Sequence, residues 1–197
     1  MFLQVFRGDV HDPAATHGAL DRLMGTLDGS TDGWLGTTAG VTPDGRSLTL
    51  TRFTTAEDAR RTNQGSAGHT WLAEMSGLSS VPVTVDDCPE VITQLRGDSS
   101  DAEFVQVLQG RIADLERLEH ALEAASSWQA GSRADIIGGL LALHGDGRFT
   151  QAVYFTSEAE ARAGEQMERT AEAEEIDSLV SDVSYFDLRQ PWAYSPW

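Results

Sequence analysis

The chain is written twice. The turn Asp44-Gly45-Arg46, followed by Phe53-Thr54 and Ala59-Arg60, returns as Asp146-Gly147-Arg148, Phe155-Thr156 and Ala161-Arg162. The offset is constant, since 148 − 46 = 102 and 155 − 53 = 102. It also aligns Phe2, Gln4, Val5 and Gly8 with Phe104, Gln106, Val107 and Gly110, and it reaches Val81 with Val183 and Pro89 with Pro191. Roughly twenty identities over about ninety-five gapless pairs is far above chance, and a period this long makes each copy a small domain rather than a solenoid unit.

The expected division is therefore residues 1–95 as a first repeat, 96–102 as a linker and 103–197 as a second repeat with an aromatic tail. The polar run Arg96-Gly97-Asp98-Ser99-Ser100-Asp101 suits a linker. Within each repeat the hydrophobic period alternates between strand and helix. Phe2 to Arg7 reads as a strand with apolar groups on both faces, hence covered on both. Asp12-Pro13 reads as an N-cap with Pro at the first helical position, before a stripe of Leu20, Leu23, Met24 and Leu27 and a terminating Gly29. Trp34 to Val41 and Ser47 to Phe53 form a hairpin about Thr42-Pro43-Asp44-Gly45. Thr55 caps a helix over 56–64, Gly65 to Gly68 interrupts it, His69 to Met75 adds a helical turn, and Val81 to Val85 is the fourth strand.

The second copy gives a strand at Phe104 to Leu108, a helix capped by Asp114, a hairpin of Ile136 to Leu143 and Phe149 to Phe155, a Ser157-x-x-Glu160 capping box and a last strand at Val180 to Phe186. Each half is β-α-β-β-α-β, the ferredoxin-like order. The fold class is α+β. A sheet covered by helices on one face leaves the other face needing a partner. The expectation is two such sheets packed face to face within one chain. In the tail, Trp192 and Trp197 are expected to pack on the body.

Composition narrows the partners. Net charge is −17, and all 14 basic residues are arginines. Such a surface argues against binding phosphate backbones or an anionic membrane. A single cysteine, Cys88, flanked by Asp86, Asp87 and Glu90, forms no internal disulfide and reads as an inert thiol. No secretory leader or membrane-length apolar run is seen, so the expected address is cytoplasmic. Phosphate loops, dinucleotide fingerprints and nucleophile elbows are missing, and no histidine spacing suggests a metal site.

Element order, the Phe53-Thr54-Thr55-x-Glu57 and Phe155-Thr156-Ser157 junctions and the duplication together resemble the dimeric α/β-barrel superfamily, which includes the antibiotic biosynthesis monooxygenase-like proteins. The resemblance spans nearly the whole chain as a tandem pseudo-dimer and leaves further homodimerisation open. It implies a pocket between sheet and helices for a small hydrophobic or aromatic molecule. It also implies a phenol-oxidising chemistry that uses oxygen without a metal or cofactor. A non-catalytic binding or interaction role and haem binding are the alternatives carried by the same group.

Candidate site residues follow from the repeat. Gln4 and Gln106 sit mid-strand among apolar neighbours on the same face of both copies, either aimed at a ligand or satisfying backbone across the two sheets, and their repetition favours the structural role at the pseudo-twofold interface. Asn63, His69 and Trp71 cluster in the first half, where the second half has Glu165, Ala171 and Ala173. That asymmetry is what one working pocket and one decayed pocket would leave. His69 is the candidate base, with Asn63 or Gln4 orienting the substrate and Trp71 lining the pocket. The other reading is a partly exposed His69 and a Trp71 packed onto the sheet edge. His120, Trp128, His144, His11 and His17 read as packed or solvated. Arg46 and Arg148 read as partners of nearby Asp residues, and Glu172, Glu174 and Glu175 as a solvated helix face.

Overall fold

The computed structural model describes residues 1–27, 33–95 and 99–196, with only the backbone of residues 94, 95, 99 and 126–131. Gly29, Trp197 and Arg96 to Asp98 lie outside the described residues, as does the side chain of Trp128. The strands are β1 (Phe2–Asp9), β2 (Trp34–Val41), β3 (Arg46–Phe53), β4 (Thr84–Cys88), β5 (Glu90–Leu95), β6 (Phe104–Ile112), β7 (Ile136–Leu143), β8 (Arg148–Phe155), β9 (Val180–Arg189) and β10 (Trp192–Tyr194). The helices are α1 (Pro13–Leu27), α2 (Ala56–Gln64), α3 (Ser66–Leu78), α4 (Leu115–Ser132), α5 (Glu158–Glu165) and α6 (Ala171–Leu179). Among the described residues, no helix is long and apolar enough to cross a membrane.

The class is α+β with two antiparallel five-stranded sheets, ordered β10-β2-β3-β1-β4 and β5-β7-β8-β6-β9. Remove β10 and β5, and each sheet has the ferredoxin-like order. The two added edge strands are the main departure from expectation. The first compact unit comprises Met1–Val91 together with Leu188–Trp197, and the second comprises Ile92–Asp187. The aromatic tail thus completes the first sheet rather than trailing from the second repeat. Trp192 pairs with Ala39 and Tyr194 with Thr37.

Side chains fix this last strand. Trp192 stacks flat on His17 of α1, with centroids 4.3 Å apart and planes 5° from parallel. Tyr194 Oη donates to Asp21 Oδ1 at 2.6 Å. Close approach of the strand also explains the bulge at Gly36, which has φ +127. A Cβ there would lie 2.9 Å from the Tyr194 carbonyl oxygen, so the position favours glycine twice over.

Local signals place most elements. Thr55 caps α2 with the reciprocal Thr55–Asp58 box. Ser157 accepts from the Glu160 amide at the start of α5. Gly45 and Gly147 take φ values of +90 and +82 in the repeated hairpin turns. Arg46 and Arg148 pair with Asp44 and Asp146 at 2.9 and 2.8 Å. Thr42 hydrogen-bonds Asp44 and, with Arg46, holds its carboxyl below the usual range; Arg148 does the same for Asp146. Both faces of β1 are buried, with Phe2 and Phe6 in the core shared with α1 and α3.

Three details differ. The break between α2 and α3 is confined to Gly65, and α3 is a full 13-residue helix. The fourth strand begins at Thr84 rather than Val81, because it is registered by β1, Gln4 opposite Asp87 and Leu3 opposite Cys88. The repeat also loses two residues before its last strand. The amide of Gln4 bonds Asp87, 83 positions on, whereas that of Gln106 bonds Asp187, 81 positions on. Val81 with Val183 and Pro89 with Pro191 are therefore identities without structural equivalence.

Burial, followed by the Asp21 hydrogen bond, pushes the Tyr194 phenol upward. A folded-state pKa above the unfolded value gives a contribution fully present below about pH 10 and lost as pH rises through the folded value. Stability is therefore expected to fall above about pH 10 and to fall less steeply in Tyr194→Phe, measured by urea unfolding at pH 8 to 11. Identical pH dependence in the two proteins would remove the latch from this account.

Candidate functional site

Each unit is built around one buried primary amide. In the first, Gln4 Nε2 donates to Asp87 Oδ1 of β4 at 2.8 Å, and Gln4 Oε1 accepts from Asn63 Nδ2 of α2 at 2.9 Å. Strand and helix are tied together through one side chain, whose donor and acceptor ends are both used. The structure thus brings Gln4 and Asn63 together. Arg7, beside them on β1, pairs with Asp86.

The second unit keeps the glutamine and changes its surroundings. Asn63 is replaced by Glu165, an acceptor where a donor stood. Gln106 Nε2 therefore donates to both Glu165 Oε1 at 3.1 Å and Asp187 Oδ1 at 3.2 Å. Only the NH2 end can face two carboxylates, which fixes the amide orientation chemically. The Gln106 carbonyl is left with no protein donor among the described residues, although the residue is 9% exposed.

Arg162 of α5 holds the two carboxylates in place. Its Nη1 donates to Glu165 at 2.8 Å, its Nη2 to Asp187, and its guanidinium lies 5.3 Å from the ring centroid of buried Phe104. Burial works against the charge, but Asp187 and then Glu165 outweigh it and hold the group above its ordinary value. Nearby, Arg133 grips Asp135 with two bonds, at 2.9 and 2.7 Å, and lies against Gly164, where a Cβ would collide with its guanidinium.

These groups line an open cavity of about 560 Å³ in the second unit, together with Leu108, Met167, Glu168, Ala173 and Tyr185. Small-molecule sites usually span roughly 300–1,000 Å³ with a few convergent polar groups. Two substitutions within the repeat account for the space. The first unit has Phe6 and Trp71 where the second has Leu108 and Ala173. Trp71 is 4% exposed and meets Phe6 edge-on, with centroids 4.8 Å apart and planes at 85°. Only Gly65 separates α3 from α2, while α6 starts only at Ala171, leaving Met167 to Thr170 on the cavity wall.

The sequence-predicted residues therefore separate. Gln106 lines the cavity. Gln4 and Asn63 satisfy each other, and Trp71 is core. His69 is exposed on the first turn of α3; its backbone N–H donates to the Gly65 carbonyl at 3.0 Å, and its ring makes no hydrogen bond or ion pair among the described residues. His144, expected to be solvated, is half-buried and lies 2.9 Å from Thr150 Oγ1 through its Nε2. Arg162, Glu165 and Asp187 were not singled out in the sequence. The signal for them was the Asn63-to-Glu165 change, which makes sense only once a second carboxylate and an arginine are seen beside it.

No family model matches the chain, and no curated protein matches its sequence. Solved structures do match its fold. A proposed monooxygenase of Lactobacillus acidophilus NCFM aligns over 99% of this chain and 96% of its own, with TM-score 0.77 and 13% identity. An anthrone oxidase-like protein aligns over 99% and 93%, with TM-score 0.68 and 11% identity. A ferredoxin-fold protein of Listeria monocytogenes 4b F2365, related to antibiotic biosynthesis monooxygenases, aligns over 97% and 95%, with TM-score 0.54 and 12% identity.

Trp71→Ala is expected to cost about 3–5 kcal/mol, since it empties a large buried volume. Urea unfolding measures it, and a loss under about 1 kcal/mol would show that the indole is not packing the first unit. The chain has, in two consecutive copies, the ferredoxin-like fold of the antibiotic biosynthesis monooxygenase-like proteins.

Proposed function

We propose that this chain is a small-molecule-binding protein whose working site is the cavity of the second unit and whose ligand is an aromatic metabolite. One observation carries the reading. The second unit holds open, beside an amide carbonyl that no described protein donor engages, a space that the first unit fills with its own side chains. Leu108, Met167 and the Tyr185 ring offer apolar contact, and Gln106 offers an acceptor to a hydroxyl or N–H.

Cofactor-independent oxygenation of a phenol is the reaction to test, supported by the likeness to the anthrone oxidase-like fold. It requires a base for the phenol proton. Glu165 and Asp187 are committed to Arg162 and Gln106, and Asp177 to Arg169. Glu168 is the lining carboxylate with no ion partner among the described residues and is the group able to accept the proton. Retention without turnover is the second reading, favoured by the prior engagement of the other carboxylates. A haem would find no imidazole among the described lining residues; Met167 is their soft donor, and a haemin titration followed at the Soret band tests that reading.

An anthrone-type phenol is expected to bind saturably, with oxygen uptake falling at least about tenfold in Glu168→Gln while retention persists. Binding without uptake selects the non-catalytic reading. Uptake abolished by His69→Ala would return the base to the first unit and overturn the assignment.

A further inference from the structure

Resting on that reading of the second cavity, we infer that its ligand is a bicyclic aromatic of indole size, carrying an N–H donor and a neutral or positive charge. The first unit supplies the template. At the repeat position of Ala173 it places an indole, and that indole packs on the residue equivalent to Leu108. Both Ala173 and Leu108 line the cavity, so the second unit lacks the ring that the first carries covalently. An external ring of the same dimensions would occupy the corresponding space, against Leu108 instead of Phe6.

The polar groups agree with this template. In the first unit, the Gln4 carbonyl is taken by Asn63, and the buried Trp71 Nε1 has no hydrogen-bond partner among the described residues. In the second unit, the substitution of Glu165 removes the competing donor and leaves the Gln106 carbonyl free. Each unit thus has one unmet half of a hydrogen bond. A ligand bearing the N–H meets the free acceptor of the second. An aromatic without a donor would displace solvent from that acceptor and give it nothing in return, so it binds less well.

Charge narrows the class further. Arg133 pairs with Asp135, Arg162 with Asp187 and Glu165, and Arg169 with Asp177. Among the described lining residues every arginine is thereby neutralised, while Glu168 carries an unpaired negative charge. A ligand carboxylate meets no spare cation there, whereas an ammonium meets Glu168 at the wall.

Calorimetric titration of the intact chain with tryptamine and with indole-3-acetate tests the inference. They share the ring and N–H and differ in charge. Tryptamine is expected to bind about three- to tenfold tighter at low salt, and Glu168→Gln to remove most of that preference. Ala173→Trp is expected to abolish binding while the variant melts as the parent does; Ala173→Phe serves if that variant does not fold. Equal or tighter binding of indole-3-acetate overturns the inference, as does tryptamine binding unchanged by a filled cavity. If the anthrone-type phenol binds and is displaced by Ala173→Trp while neither indole binds, the cavity reading stands and this inference falls. If nothing binds, both fall.

Discussion

A primary amide held inside a sheet has two N–H groups and a carbonyl to place, and nothing around it can be arranged independently of that. Gln4 solves the problem with one carboxylate and one amide, Asp87 and Asn63, and becomes a closed bracket between strand and helix. Gln106 faces two carboxylates, Glu165 and Asp187, which need an arginine to coexist. Arg162 meets that need and rests on Phe104 to do so. A single exchange of donor for acceptor on the helix therefore propagates into an ion cluster and a free carbonyl. Buried pairs of this kind are high-stakes because an unmet partner costs more than a met one contributes.

The same logic separates packing from binding. Trp71 and Phe6 make the first unit a filled body, while Ala173 and Leu108 leave the second hollow. The halves share strand order and turn chemistry, so the fold tolerates either state. What a hollow half loses in contact it regains only when something enters. In the open cavity of the second unit the one oriented acceptor is already pinned by the charges of Glu165, Asp187 and Arg162, which is the condition for a preorganised contact.

Much of this was legible in the letters, and the exceptions have physical causes. Helix α1 and strand β2 match the sequence reading because their signals are local: a cap with Pro at the first helical position, a 3.6-residue stripe, β-formers before a Pro-Gly turn. The start of β4 was read three residues early because Val81 to Val85 is rich in β-formers, whereas its register comes from pairing with β1. Strands β5 and β10 were not legible as strands, since edge pairing is a long-range property of short segments. The asymmetry of Asn63 and Trp71 against Glu165 and Ala173 was plain. Functional groups mark the first half, yet a void is written by small residues, and Ala173 says little until its neighbours are placed.

The pairing of β10 with β2 links positions 153 apart, since 192 − 39 = 153. On a ribosome the amino-terminal sheet cannot acquire β10 until Trp192 to Tyr194 have emerged. Completion of the first sheet is thereby delayed until those residues arrive, and a nascent chain exposes the rim of β2 for the whole interval. Non-local closure of this sort is slow and vulnerable to mispairing. A chain cut before Trp192 would carry that rim permanently bare.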